Sequence, residues 1–249
     1  MVTLKLPESA RLAQLLVGNL STPVGLLTAD APNGGFPREK YMTGGAVWPA
    51  VAHPFVWALA RTNGSAAWDE WRRLSLANTA AQNPELWSGV WTSSDAWGDR
   101  GLNWQPAFPA LCTHRHAWPL LSLTHGLLGL EFTASGLRLR PALPQSLGPF
   151  AYSAPLFSLA RDATGQLRGT YRPAVHVPYC VVELDLIPFA SEIREPKVVR
   201  LTAIDAAGHE VSAAEMVVVP RFTNSGSQAL RVEGPVAATG FNFHLSVDV

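Results

Sequence analysis

The sequence predicts an α+β protein in which a helical first half is followed by an all-β second half. Two observations carry this reading. All nine tryptophans (Trp48, Trp57, Trp68, Trp71, Trp87, Trp91, Trp97, Trp104 and Trp118) fall in the first half, among segments whose apolar residues recur at three-to-four spacing. From Glu131 onward the period becomes two, and short apolar runs alternate with polar turns rich in Gly and Asp. The boundary is placed near Leu130, giving a helical region over 1–130 and a β-domain over 131–249.

In the first half, ESARLAQLLVG sets Leu12, Leu15 and Leu16 on one helical face and is expected to stop at Gly18. VWPAVAHPFVWALARTNG is apolar at helical spacing and ends at Asn63-Gly64. Ser65 is the expected cap of the next helix, SAAWDEWRRLSLANTAAQ, in which Trp68, Trp71 and Leu74 recur at helical spacing. A long loop leads to HAWPLLSLTHGLLGL, a last helix ending near Gly129.

In the second half, EFTASGLRLRPALP reads as strand, turn and strand, with Leu137 and Leu139 alternating against Arg138 and Arg140. FAYSAPLFSLARDATGQLRGTYRP continues the pattern around a turn at Asp162-Ala-Thr-Gly165. Further strands are expected at CVVELDLI, KVVRLTAIDAAGHEV, EMVVVPRF, QALRVEG and FNFHLSVDV, most simply as a sandwich. The short junction GLLGLEFTASGLRLRPALP implies that the two domains share an interface.

Composition limits the function. With 249 residues, 47% of them hydrophobic, the chain can bury a substantial core. Nineteen basic and nineteen acidic residues cancel, and no basic run occurs, so neither nucleic acid nor an anionic membrane is an expected partner. The longest apolar stretch, CVVELDLIPFA, is interrupted by Glu183 and Asp185 and falls short of the roughly 20 residues a membrane span needs. MVTLKLPESARL lacks the apolar block of a signal peptide, so a cytoplasmic setting is expected, with Cys112 and Cys180 as lone thiols.

The chemistry concentrates in PELWSGVWTSSDAWGDR, residues 84–100, where Trp87, Trp91 and Trp97 surround Asp95 and Asp99. An indole face matches the C–H-rich face of a pyranose, and its N–H supplies a polar handle. Trp87, Trp91, Trp97 and Trp104, set in loops, are therefore candidate sugar platforms, while Trp57, Trp68 and Trp71 are expected mainly to pack. Asp95 is the candidate catalytic carboxylate, since glycoside cleavage commonly uses two carboxyl groups; a loop or helix cap is its competing role. Asp99 reads as a turn residue. Glu39 and Lys40, in GFPREKYMTGG, are a second polar pair, either substrate-binding or a surface ion pair. Thr113, His114, Arg115 and His116 open a helix, a setting suited to phosphate, to sugar hydroxyls or simply to packing.

These residues carry a resemblance. NPELWSGVWTSSDAW resembles the NPDIWYGIWSGPDAYN-type segment of the cellobiose phosphorylase-like enzymes of glycoside hydrolase family 94 and its β-oligoglucan phosphorylase relatives. The similarity extends to GGAVWPAVAHPFVWALA, to FPALCTHRHAWPLLSLTHGLLGLEFTASGLRLRPALP and to FAYSAPLFSLARDATGQLRGTYRP, covering roughly 40–175. It implies a partial (α/α)6-toroid helical region, the C-terminal part of a catalytic toroid, followed by a jelly-roll-like sandwich. It further implies an inverting glycoside phosphorylase or hydrolase acting on β-linked gluco-oligosaccharides, with no cofactor but with inorganic phosphate as a co-substrate.

By the same resemblance Asp95 matches the aspartate of the SGPDAYN-like stretch, a match that assigns it no role as base. Aligned on Ala117 and Trp118, the family's phosphate-binding Thr-Gly-Thr positions fall on Thr113, His114 and Arg115, of which Thr113 alone is retained. The family's general acid, in a DWND-like segment, has no counterpart in the sequence and is expected upstream. About four or five helices are fewer than a toroid requires, so the isolated chain is expected to be inactive. A homodimer or a separate N-terminal half is the expected partner for its open helix faces. The alternative function is a truncated, non-catalytic remnant or a saccharide-binding protein.

Overall fold

The computed structural model describes residues 9–28, 47–75, 77–78, 81, 114–133, 136–176, 179–185, 197–218, 227–233 and 239–245. The chain divides into two compact units, Met1–Leu127 and Leu128–Val249. The described α-helices lie in the first, whereas the second is built of strands with one short 3-10 turn at Gln145–Leu147, so the fold is mixed α and β.

In the first unit, α1 spans Ser9–Leu20 and α2 spans Pro49–Ala60. The helix α3 covers Gly64–Arg73 and α4 covers His114–Leu121. Contrary to expectation, α1 runs through Gly18, where a Cβ would meet nothing within 4 Å. Its Leu12 and Leu15 are exposed, and Ala13 is the buried position. A small hairpin, β1 (Ser21–Thr22) with β2 (Gly25–Leu26), follows α1 and has no counterpart in the sequence reading.

The cap of α3 is also corrected. Asn63, not Ser65, is the N-cap: extended at φ −153°, it accepts the Ala66 N–H on Oδ1 at 3.0 Å. Asn and Ser cap about equally well, so the choice falls to the residue that leaves helical geometry first. Helix α2 begins with Pro49 at its first position, where the missing N–H costs nothing. After α4 the backbone continues as a π-helical segment, Ser122–Leu127.

The core of the first unit joins Val47, Ala52, Val56, Leu59, Ala60, Ala67, Leu74 and Leu127, all buried. Glu70, fully buried, reaches the hairpin: its Oε1 accepts from Ser21 Oγ and from Arg73 Nη1, and Arg73 Nη1 also lies 2.6 Å from Ser21 Oγ.

The second unit opens with β3 (Leu130–Thr133) and β4 (Gly136–Leu139). It continues with β5 (Phe150–Ala154), β6 (Phe157–Arg161) and β7 (Leu167–Tyr171). The remaining strands are β8 (Tyr179–Asp185), β9 (Lys197–Ile204), β10 (Glu210–Val218), β11 (Ser227–Glu233) and β12 (Gly240–Leu245). They form a six-stranded sheet, β10-β9-β12-β7-β6-β5, and a four-stranded sheet, β11-β8-β4-β3. All pairings are antiparallel except β4 with β8.

Alternation fixes the faces of the six-stranded sheet. Val199, Leu201 and Ala203 of β9, Phe241 of β12, and Phe157 and Leu159 of β6 are buried on one side. The tilted ring pair Phe132 and Tyr171, 5.9 Å apart, links that side to β3 of the other sheet. Arg161 is buried at the end of β6, where its guanidinium donates to the carbonyls of Leu143, Pro144 and Gly148 and lies over the Phe150 ring. It thereby fixes the segment entering β5. The turns 162–165 and 205–208 are matched: Asp162 Oδ1 accepts from the N–H groups of Thr164 and Gln166, and Asp205 Oδ1 from those of Ala207 and His209.

Candidate functional site

Of the candidate residues, Asp95, Trp87, Trp91, Trp97, Trp104, Glu39, Lys40 and Thr113 lie outside the described residues. Cys112 and Asp99 do too. His114, Arg115 and His116 form the first turn of α4. A helix start directs free N–H groups and a partial positive charge outward, an environment that favours an anion.

What holds that helix start can be built from its neighbours. Trp71, on α3, donates its indole N–H to the carbonyl of Pro119 at 3.0 Å. Trp68 stacks on Trp71 with centroids 5.4 Å apart and planes 9° from parallel. These tryptophans are half-buried. Trp57, on α2, stacks on His125 of the π-helical segment at 5.5 Å. Gly126 brings the two backbones together: a Cβ there would sit 3.1 Å from the Trp57 Cα.

Beneath this layer lies a polar pair that sequence reasoning passed over. His53 and Ser122, both buried, place Nδ1 2.9 Å from Oγ. Ser122 Oγ is also 3.1 Å from the Pro119 carbonyl. A hydroxyl has one proton. With that proton on the Pro119 carbonyl, His53 donates from Nδ1 to Ser122 Oγ. The available signals were an imidazole in an apolar helix stretch, VAHPFV, and a hydroxyl three residues after a helical proline.

Among the described residues, no group of three or more His, Cys, Asp and Glu side chains is placed to hold a metal ion. No described helix is long and apolar enough to cross a membrane. No family model matches the sequence, and no curated protein matches it.

Proposed function

We propose that the chain is the carbohydrate-active part of an inverting glycoside phosphorylase or hydrolase acting on β-linked gluco-oligosaccharides. In this reading the helical unit is the C-terminal part of an (α/α)6 toroid and the β-unit a jelly-roll-like sandwich. The observation that supports it is the pairing of α2 with α4 and the π-helical segment that continues it. These helices come from GGAVWPAVAHPFVWALA and CTHRHAWPLLSLTHG, two separate stretches of the family resemblance. They are joined by the His53–Ser122 hydrogen bond and the Trp57–His125 stack, as neighbouring helices of one toroid require.

The chemistry follows from the residue types. Trp87, Trp91, Trp97 and Trp104 offer faces to pyranose rings, and Glu39, Lys40 and His116 bind sugar hydroxyls. Thr113, His114 and Arg115, at the start of α4, hold phosphate where the helix dipole favours it. A phosphate or water oxygen attacks the anomeric carbon, the glycosidic C–O bond breaks, and the leaving oxygen takes a proton from a general acid outside these 249 residues. Asp95 orients or deprotonates the attacking oxygen. In the phosphorolytic form of the reaction inorganic phosphate is the co-substrate, and in the hydrolytic form water takes its place.

The test is an assay of cello-oligosaccharide cleavage, made on the chain alone and within any longer polypeptide that carries it. Phosphate-dependent release of glucose 1-phosphate establishes phosphorolysis, and phosphate-independent release of sugar establishes hydrolysis or transfer. Absence of both in every form leaves the saccharide-binding or remnant alternative. Asp95→Asn is expected to cut turnover by orders of magnitude with folding intact; an unchanged rate returns Asp95 to a capping role.

A further inference from the structure

The outward face of the six-stranded sheet carries a regular row of neutral polar side chains. Across β5, β6, β7, β12 and β9, the paired positions Ser153, Ser158, Thr170, Asn242 and Thr202 follow one another in register. Strands lie about 4.8 Å apart, so the row offers a hydroxyl or amide at each such step. That repeat is close to the length of one pyranose in an extended chain. None of these side chains is charged or larger than asparagine.

Longer side chains border the row. Arg168 of β7 and Arg172, just past its end, flank Thr170, and both are exposed. The neighbouring row runs Ala160, Arg168, His244, Arg200 and Glu215. Arg200 engages Glu210 at 2.7 Å and Glu215 at 3.3 Å, which keeps the carboxylates of this face at its β10 end. Arg168 and His244 both hydrogen-bond Gln166, at 2.9 and 3.0 Å.

The row is supplied with donors. Thr170 Oγ1 donates to Asn242 Oδ1 at 2.9 Å, which fixes the amide and turns its Nδ2 away. No described residue accepts a hydrogen bond from Asn242 Nδ2, from the hydroxyls of Ser153 and Ser158, or from the guanidinium of Arg172. A neutral, hydroxyl-bearing chain matches such a strip better than a charged partner. The small side chains leave room for it to lie close to the sheet, with the arginines along its side.

We propose that this face binds an extended β-linked gluco-oligosaccharide lying across the strands. The choice of sugar rests on the function proposed above, but the surface is separate from its cleavage site. Cellohexaose titrated into the full chain, followed by 1H–15N NMR, is expected to shift the backbone amides of Ser158 and Thr170 and the side-chain amide of Asn242. Ser158→Arg, which fills the strip, is expected to weaken binding about tenfold, the loss of one or two hydrogen bonds. Ser153→Arg, at an exposed edge position, serves as a second blocking variant that leaves the interior untouched, and thermal unfolding checks the fold of both.

Shifts confined to residues 1–127, no shifts at all, or unchanged affinity in both folded variants each overturn the proposal. Asp95→Asn is expected to leave this binding unaltered. Loss of cleavage with retained binding at the sheet therefore separates a failure of the enzymatic reading from a failure of this one.

Discussion

His53 and Ser122 meet at 2.9 Å although 69 positions separate them in the chain, and both are buried. This hydrogen bond closes the middle of the helical unit, where α2 crosses the change from α- to π-helical backbone. A helix that shifts its register there leaves a carbonyl to be satisfied by side chains. The Pro119 carbonyl is accordingly reached by both Trp71 and Ser122. Ser122→Ala removes one partner of a buried imidazole and is expected to cost about 1–3 kcal/mol. Urea unfolding followed by tryptophan fluorescence measures it, because every tryptophan lies in the first unit. A loss within experimental error would show that the pair is dispensable.

Two glycines near the chain's midpoint are expected to respond differently to the same methyl group. Gly129 has φ +68°, and a Cβ there would overlap the Arg140 carbonyl group, whose own N–H donates to the Gly129 carbonyl at 2.8 Å. Gly129→Ala combines a left-handed backbone with a backbone clash and is expected to cost about 3 kcal/mol or more. At Gly126 the nearest atom is the Trp57 Cα at 3.1 Å, a contact that a small shift relieves, so Gly126→Ala is expected to cost about 1–2 kcal/mol. Thermal unfolding followed by circular dichroism gives the order, and a reversed order refutes the argument.

Arg161 tests whether a buried guanidinium holds a loop. Its Nη2 lies 2.7 Å from the Pro144 carbonyl and 2.8 Å from that of Gly148. Arg161→Ala leaves these carbonyls without their donor inside the β-unit, at an expected cost of about 2–4 kcal/mol. Arg161→Lys keeps the charge but loses the fork that spans several carbonyls, so it is expected to recover only part of the loss. Full rescue by lysine would show that charge alone matters.

The two aspartate turns predict an acid limb of stability. The Thr164 hydroxyl, then the Gln166 and Thr164 N–H groups, hold the Asp162 carboxyl below its usual range; for Asp205 the His209 N–H leads. A carboxylate held low in the folded state stabilises fully above its unfolded value, near 3.9. That contribution is lost as pH falls through the lower, folded value. Asp162→Asn and Asp205→Asn are expected to flatten the fall in melting temperature below about pH 4 relative to the parent chain. An identical acid limb in the double variant contradicts the assignment.

Much of this fold is legible in the sequence because its signals are local. The switch from three-to-four spacing to alternation at Glu131 separates helices from strands, and Asp-x-x-Gly at 162–165 marks a turn that the carboxylate itself closes. The same pattern at 205–208 lies inside a single expected strand, KVVRLTAIDAAGHEV, and its turn divides that stretch into β9 and the start of β10. Other features depend on contacts distant in sequence. The two-residue strands at Ser21 and Gly25 are too short to show a period, and they are secured by Glu70, 49 positions away. The π-helical segment after Pro119 answers to the packing of Trp57 and Gly126, which no single segment reveals. β10 begins at Glu210, ahead of the expected Glu215, because pairing with β9 extends a stretch, EVSAA, whose own alternation is weak. For the candidate site, the sequence indicates residue chemistry at Asp95 and its tryptophans, which lie outside the described residues.

The division of labour among the tryptophans supplies the last prediction. Trp57 stacks on His125 and faces the backbone at Gly126, so its indole fills space between α2 and the π-helical segment. Trp57→Ala is expected to cost about 3–5 kcal/mol of stability, the usual range for truncating a packed indole, with little direct effect on sugar affinity in the fraction that remains folded. Trp91 belongs instead to the Gly- and Ser-containing stretch assigned to the sugar cleft. Its truncation is expected to weaken oligosaccharide binding while the melting temperature moves little, because a platform indole is stabilised by ligand more than by neighbours. Melting curves and cellohexaose titrations on both variants separate the two roles. Equal losses of stability, or equal losses of affinity, would remove the distinction and with it the reason for reading the loop tryptophans as platforms.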